Sequence, residues 1–66
     1  MKIVVNGKEI DVGEARTVSE VLSRLGLDVM PCAVEVNLML VPKSRHAVQS
    51  LHDGDRMEVV TLVGGG

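Results

Sequence analysis

Asn6-Gly7 stands between two short stretches in which apolar and polar residues alternate, with Ile3 and Val5 before it and Ile10 and Val12 after it. Both central residues of a type I′ turn need positive φ, which Gly adopts freely and Asn tolerates. Asn-Gly between alternating segments is the strongest short-range hairpin signal a sequence carries. The pattern predicts strands at about 1–6 and 8–12. It sends Ile3 and Val5 to the core and leaves Lys2, Val4 and Asn6 outside.

A helix is predicted next. The Thr17 hydroxyl can accept from the Glu20 N–H while the Glu20 carboxylate reaches back to the Thr17 N–H, which is a capping box. Val18, Val21, Leu22 and Leu25 recur at helical spacing and make one apolar stripe. Gly26 supplies a left-handed stop. Two turns of helix are marginal alone, so the stripe must dock on a sheet. Ala33 to Asn37 reads as a third strand with Val34 and Val36 on one face. Pro42 and Ser44 mark a short turn or 3₁₀ element, Asp53-Gly54-Asp55 a tight turn, and Met57 to Val63 the last strand. Hairpin, helix, then more strands favours an α+β fold: a mixed sheet of four to five strands with one main helix across one face.

Composition removes several function classes. The 66 residues form one small domain, below the size at which a deep enclosed site is available. None of its residues is Phe, Tyr or Trp, so it has no rings on which unpaired bases could stack. Seven Lys and Arg against nine Asp and Glu give a net charge of −2, which offers little phosphate neutralisation. Nucleic acid is therefore not an expected partner. The longest uninterrupted apolar run, Leu38 to Val41, falls far short of the roughly 20 residues that span a bilayer, so no membrane role is expected either. A single cysteine, Cys32, and the absence of a secretory apolar stretch fit a cytoplasmic protein.

The chemistry-bearing feature is the run Gly64-Gly65-Gly66 after a Val-rich strand. Such a tail would hold a terminal carboxylate on a thin, pliable stalk, and four residues from Val63 onward reach about 13 Å. With a reference pKa of roughly 3.5 that carboxylate is ionised at neutral pH and a poor electrophile. Conversion to an acyl-adenylate would open it to attack by sulfur or nitrogen. A frayed, functionless end is the plain alternative.

Asn6-Gly7, the Thr17-to-Gly26 helix, Val41-Pro42-Lys43-Ser44, Leu51-His52-Asp53-Gly54-Asp55-Arg56, Glu58-Val59-Val60 and Val63-Gly64-Gly65-Gly66 together resemble the ThiS-type ubiquitin-like sulfur carriers of thiamine biosynthesis. The resemblance runs over essentially the whole sequence. It implies a β-grasp domain over 1–63 and a flexible glycine tail over 64–66. It further implies that Gly66 carries the sulfur while Gly64 and Gly65 form the stalk that enters an adenylating pocket. A ThiF-like partner would use ATP and Mg²⁺ to adenylate the carboxylate. A cysteine desulfurase or other sulfur donor would yield the thiocarboxylate, and a ThiG-like thiazole synthase would accept the sulfur. The protein itself would be a cosubstrate and not an enzyme, binding no cofactor. A MoaD-like carrier, the small subunit of molybdopterin synthase, is the nearest alternative. A carrier for another sulfur metabolite and a ubiquitin-like protein modifier follow. Two positions depart from the family pattern. Leu62 stands where an aromatic residue is common, and Arg45 precedes His46 where an acidic residue is usual.

Strand alternation suggests the partner surface. Arg56, Glu58, Val60 and Leu62 share one face of the last strand, and Met57, Val59 and Thr61 the other. The resemblance to a β-grasp sheet implies that the first and last strands are neighbours, so Val4, Val60 and Leu62 would form an exposed patch beside the tail, rimmed by Arg56 and Glu58. Cys32 opens an apolar strand after Pro31, which suits a small buried hydrophobe better than a sulfur relay. His46, His52, Asp53 and Asp55 match no compact ligand spacing, so no metal site is expected. Ser44 has no evident His–acid partnership.

Overall fold

The structure, a computed structural model, describes residues 1–62. Val63 and the proposed tail Gly64, Gly65 and Gly66 lie outside the described residues. Strands β1 (Lys2–Val5) and β2 (Lys8–Asp11) form the hairpin, with Val5 opposite Lys8 and Lys2 opposite Asp11. Asn6 and Gly7 take φ of 50° and 81°, both positive as the type I′ turn demands. Helix α1 (Val18–Arg24), β3 (Cys32–Val36), β4 (Met39–Val41), a 3₁₀ turn at Lys43–Arg45 and β5 (Arg56–Thr61) follow. The sheet order is β2-β1-β5-β3-β4. The last strand enters the middle, parallel to β1 and antiparallel to β3. With α1 across one face, this is the β-grasp arrangement.

The helix is short because its ends are fully specified. At the start, Glu20 N–H donates to Thr17 Oγ1 at 3.2 Å, and Thr17 N–H donates to Glu20 Oε1 at 3.1 Å. Two more helix N–H groups are met from a distant loop, Val18 by the Gln49 carbonyl at 3.1 Å and Ser19 by the His46 carbonyl at 2.9 Å. At the other end Leu27 N–H donates to the Leu22 carbonyl at 2.8 Å and Gly26 N–H to Ser23 at 3.0 Å, a Schellman motif around Gly26 at φ +74°. Val18, Val21 and Leu22 are buried against Ile3, Val34, Met57 and Val59. Leu25 is only partly buried at the edge.

Glu20 gives the helix a pH dependence. The Arg16 N–H, donating to Oε1 at 2.9 Å, and then the Thr17 bonds hold its carboxyl below the usual glutamate range. A depressed folded pKa adds stability that is present above the unfolded pKa and is lost as pH falls through the folded one. The urea midpoint should therefore decline on acidification through and below the ordinary glutamate range. A Glu20→Gln variant should show a smaller decline over the same window, and an equal decline would remove Glu20 as a cause.

Strand limits differ from the sequence expectation. Strand β3 begins at Cys32 and ends at Val36, and β5 runs from Arg56 only to Thr61. Strand β4 had no sequence signal of its own, because its hairpin turn is Asn37-Leu38. Both residues sit at positive φ, 49° and 70°, and leucine is a residue that no turn rule would place there. Leu38 is 89% exposed, so no packing compensates. Replacement by Gly removes a left-handed penalty of about 1–2 kcal/mol and adds back a backbone-entropy cost of about 0.5–1 kcal/mol. Leu38→Gly should thus raise stability by up to about 1.5 kcal/mol, read as a higher urea midpoint at unchanged slope.

Candidate functional site

Strand β5 lies at the heart of the sheet and leads toward the glycine run. Its inward residues Met57 and Val59 are buried, while Arg56, Glu58, Val60 and Leu62 all reach the surface on the face away from α1. Val60 is 60% and Leu62 52% exposed. Leu62 N–H still donates to the Pro31 carbonyl at 2.8 Å, so the backbone stays beside β3 past the end of the strand.

Strand alternation alone groups Val4 with Val60 and Leu62. The parallel register instead sets Val4 beside Arg56, and Val4 is half-buried. Val60 lies opposite Ala33 on β3, four residues further along β5, about 13 Å at strand rise. The exposed face therefore has two parts, Val4 with Arg56 at one end and Ala33, Val60 and Leu62 at the other. Glu58 lies between them, directly opposite Glu35. Glu35 was not singled out from the sequence, since only the β3–β5 register brings the two carboxylates together. Like charges directly opposite oppose pairing, and no ion pair among the described residues neutralises either one.

Two asparagine amides fix this strand. Asn6 Nδ2 donates to the Val59 carbonyl at 3.1 Å, and Val59 N–H donates to Asn6 Oδ1 at 2.8 Å. Asn37 acts at the opposite edge, where Arg56 N–H donates to its Oδ1 at 3.0 Å and its Nδ2 donates to Asp55 Oδ1 at 3.0 Å. From the sequence Asn6 has only a turn role. The tertiary role carries no local signal, although a turn Asn whose carboxamide could pair with a neighbouring strand is a pattern worth checking.

The other candidates disperse. His46 is buried and its Nε2 hydrogen-bonds the Val41 carbonyl at 3.1 Å. Asp53 Oδ1 accepts from Lys2 N–H at 2.9 Å, and Asp55 Oδ2 accepts from His52 N–H at 2.8 Å, which closes the turn around Gly54. Among the described residues no three His, Cys, Asp or Glu side chains gather around a common point. Ser44 is exposed in the 3₁₀ turn. Cys32 is half-buried, with its thiol directed at the Met30 carbonyl at 3.4 Å and the Leu27 carbonyl at 3.7 Å. It lines an open cleft of about 490 Å³ that also includes Lys43 and His46. No helix among the described residues is long and apolar enough to cross a membrane.

A β-grasp domain of this strand order, with one helix across a five-stranded mixed sheet, has the ubiquitin-like fold. Similarity to known proteins narrows this. The model of the ThiS family matches residues 1–66. The protein is 46% identical over 66 residues to a thiazole synthase of Paramagnetospirillum magneticum, a match that takes in all of this sequence and 20% of that one. It thus spans about a fifth of that relative's length. It is 32% identical to the uncharacterised protein ycf40 of Pyropia yezoensis, covering 93% of it. In structure it is similar to the thiamine biosynthesis protein ThiS of Geobacter metallireducens, with a TM-score of 0.81, 32% identity and full coverage of both. The chain belongs to the ThiS family. Family membership and this structural match support a sulfur-carrier role in thiamine biosynthesis.

Proposed function

We propose that this protein is the sulfur carrier for thiazole formation in thiamine biosynthesis and that the carboxylate of Gly66 is its cargo hook. The observation that carries the reading is full-length membership of the ThiS family in a protein whose central strand β5 heads into Val63-Gly64-Gly65-Gly66. A ThiF-like enzyme, with ATP and Mg²⁺ held in its own site, activates the carboxylate as an acyl-adenylate. The carboxylate oxygen attacks the ATP α-phosphorus and pyrophosphate leaves. Sulfur from a cysteine desulfurase persulfide or another donor then displaces AMP, and a reductant, such as a thiol, releases the thiocarboxylate. A ThiG-like thiazole synthase is the acceptor. Support for that acceptor comes from the thiazole synthase whose sequence includes a stretch similar to the whole of this one. All of these partners act in the cytoplasm in this reading. The protein serves as a cosubstrate, and Gly64 and Gly65, which lack side chains, let it thread a narrow pocket.

The adenylating enzyme docks on the β5 face in this reading. Val60 and Leu62 supply the apolar contact, with Arg56, Glu58 and Val4 along the rest of the face. Leu62→Asp places a charge in that contact without touching the core, because Leu62 is half exposed. Burying an unpaired carboxylate should lower kcat/KM for adenylation about tenfold or more. Circular dichroism and the urea midpoint should match the parent. A Leu62→Asp protein adenylated as well as the parent would remove this face from the interaction.

A further inference from the structure

The β1–β5 backbone register ends where Val5 lies opposite Met57, yet β5 continues to Thr61. The Asn6 side chain takes over from there. Its carboxamide offers one donor and one acceptor to Val59, at 3.1 and 2.8 Å, as the next residue of a strand would. Asn6 also precedes Gly7, whose main-chain nitrogen has no adjacent Cβ to hinder its approach to the Asn6 amide carbon. One residue therefore has two competing fates, clamp and electrophile.

We propose that Asn6 is a latent deamidation site, kept inert by its bonds to Val59, and that its conversion releases the second half of β5. In the reaction the Gly7 amide nitrogen loses its proton and bonds to Asn6 Cγ. The Cγ–Nδ2 bond of Asn6 breaks and ammonia leaves, giving a succinimide. Water opens this ring to aspartate or isoaspartate, and no other reactant is needed. In the folded protein both amide heteroatoms point to β5, so both hydrogen bonds must open before Cγ can meet the Gly7 nitrogen. The product carboxylate has no donor for the Val59 carbonyl. Isoaspartate also adds a methylene to the main chain at the turn that sets the hairpin register. Asn37 is a built-in control, since it makes a similar bond to Arg56 but precedes Leu38, whose side chain hinders cyclisation.

The test is peptide mapping by mass after parallel incubation at mildly alkaline pH, folded in buffer and unfolded in urea. The Asn6 peptide should gain the mass of OH replacing NH₂ at least about tenfold more slowly in the folded protein, because local opening must come first. The Asn37 peptide should stay unchanged in both. Equal rates for Asn6 in folded and unfolded protein would overturn protection. The clamp is tested separately with Asn6→Gly, which suits the positive φ and so keeps the turn. Its Val59 amide should exchange with deuterium at least about tenfold faster than the parent's, while the Val34 amide is unaffected. Unchanged exchange at Val59 would overturn the clamp.

Discussion

Met57→Ala should lower stability by about 3 kcal/mol, as expected for truncating one of the largest fully buried side chains. Met57 is fully buried at the centre of the sheet, with Val5 beside it on β1 and Val36 on β3. Its carbonyl also accepts from Asn6 N–H at 2.9 Å, so its backbone is fixed and cannot move in to fill the space a truncated side chain leaves. The whole domain is stable by only about 3–10 kcal/mol at typical values per residue, so the loss takes a large share of it. Urea unfolding would show the midpoint falling at constant slope. Val60→Ala, on the opposite face of the strand and 60% exposed, should shift it by less than about 0.5 kcal/mol. A Met57→Ala cost below about 1 kcal/mol would mean that β5 is not the strand on which the core closes.

Removing Gly66 should abolish loading and leave the fold untouched. Among the described residues the core runs from Ile3 to Val59, and a glycine has no side chain with which to add to a core. Stability of a protein ending at Gly65 should therefore equal the parent's. Shortening by one residue withdraws the carboxylate by about 3.5 Å. Misplacement of a reacting group by about 1 Å already costs on the order of 100-fold, so adenylation by the partner enzyme should fall by at least that factor. Wild-type loading of the shortened protein would exclude the terminal carboxylate as the reacting group.

Local chemistry made much of the fold readable. The Asn6-Gly7 turn, the Thr17–Glu20 box and the Gly26 stop each depend on residues a few positions apart, and the structure places each as its chemistry requires. Alternation along β5 likewise separated Met57 and Val59 from Glu58, Val60 and Leu62. What escaped depends on pairing between distant segments. Strand β4 hangs on a turn with leucine at positive φ, which local rules mark as unfavourable. The separation of Val4 from Val60, the opposition of Glu35 and Glu58, and the Asn6 grip on Val59 follow from register. None of these leaves a mark within a short window of sequence. The exposed face of β5 was legible in the sequence, but how the residues on that face are grouped was not.

The central claim is that sulfur rides on the Gly66 carboxylate. Its most direct test is the intact mass of the protein after incubation with a ThiF-like enzyme, ATP, Mg²⁺, a cysteine desulfurase, cysteine and a thiol reductant. The expected species is heavier by the exchange of one oxygen for one sulfur, and its fragments should assign the change to Gly66. A mass that stays unchanged while the enzyme consumes ATP on this protein, or sulfur found on Cys32 instead, would contradict it.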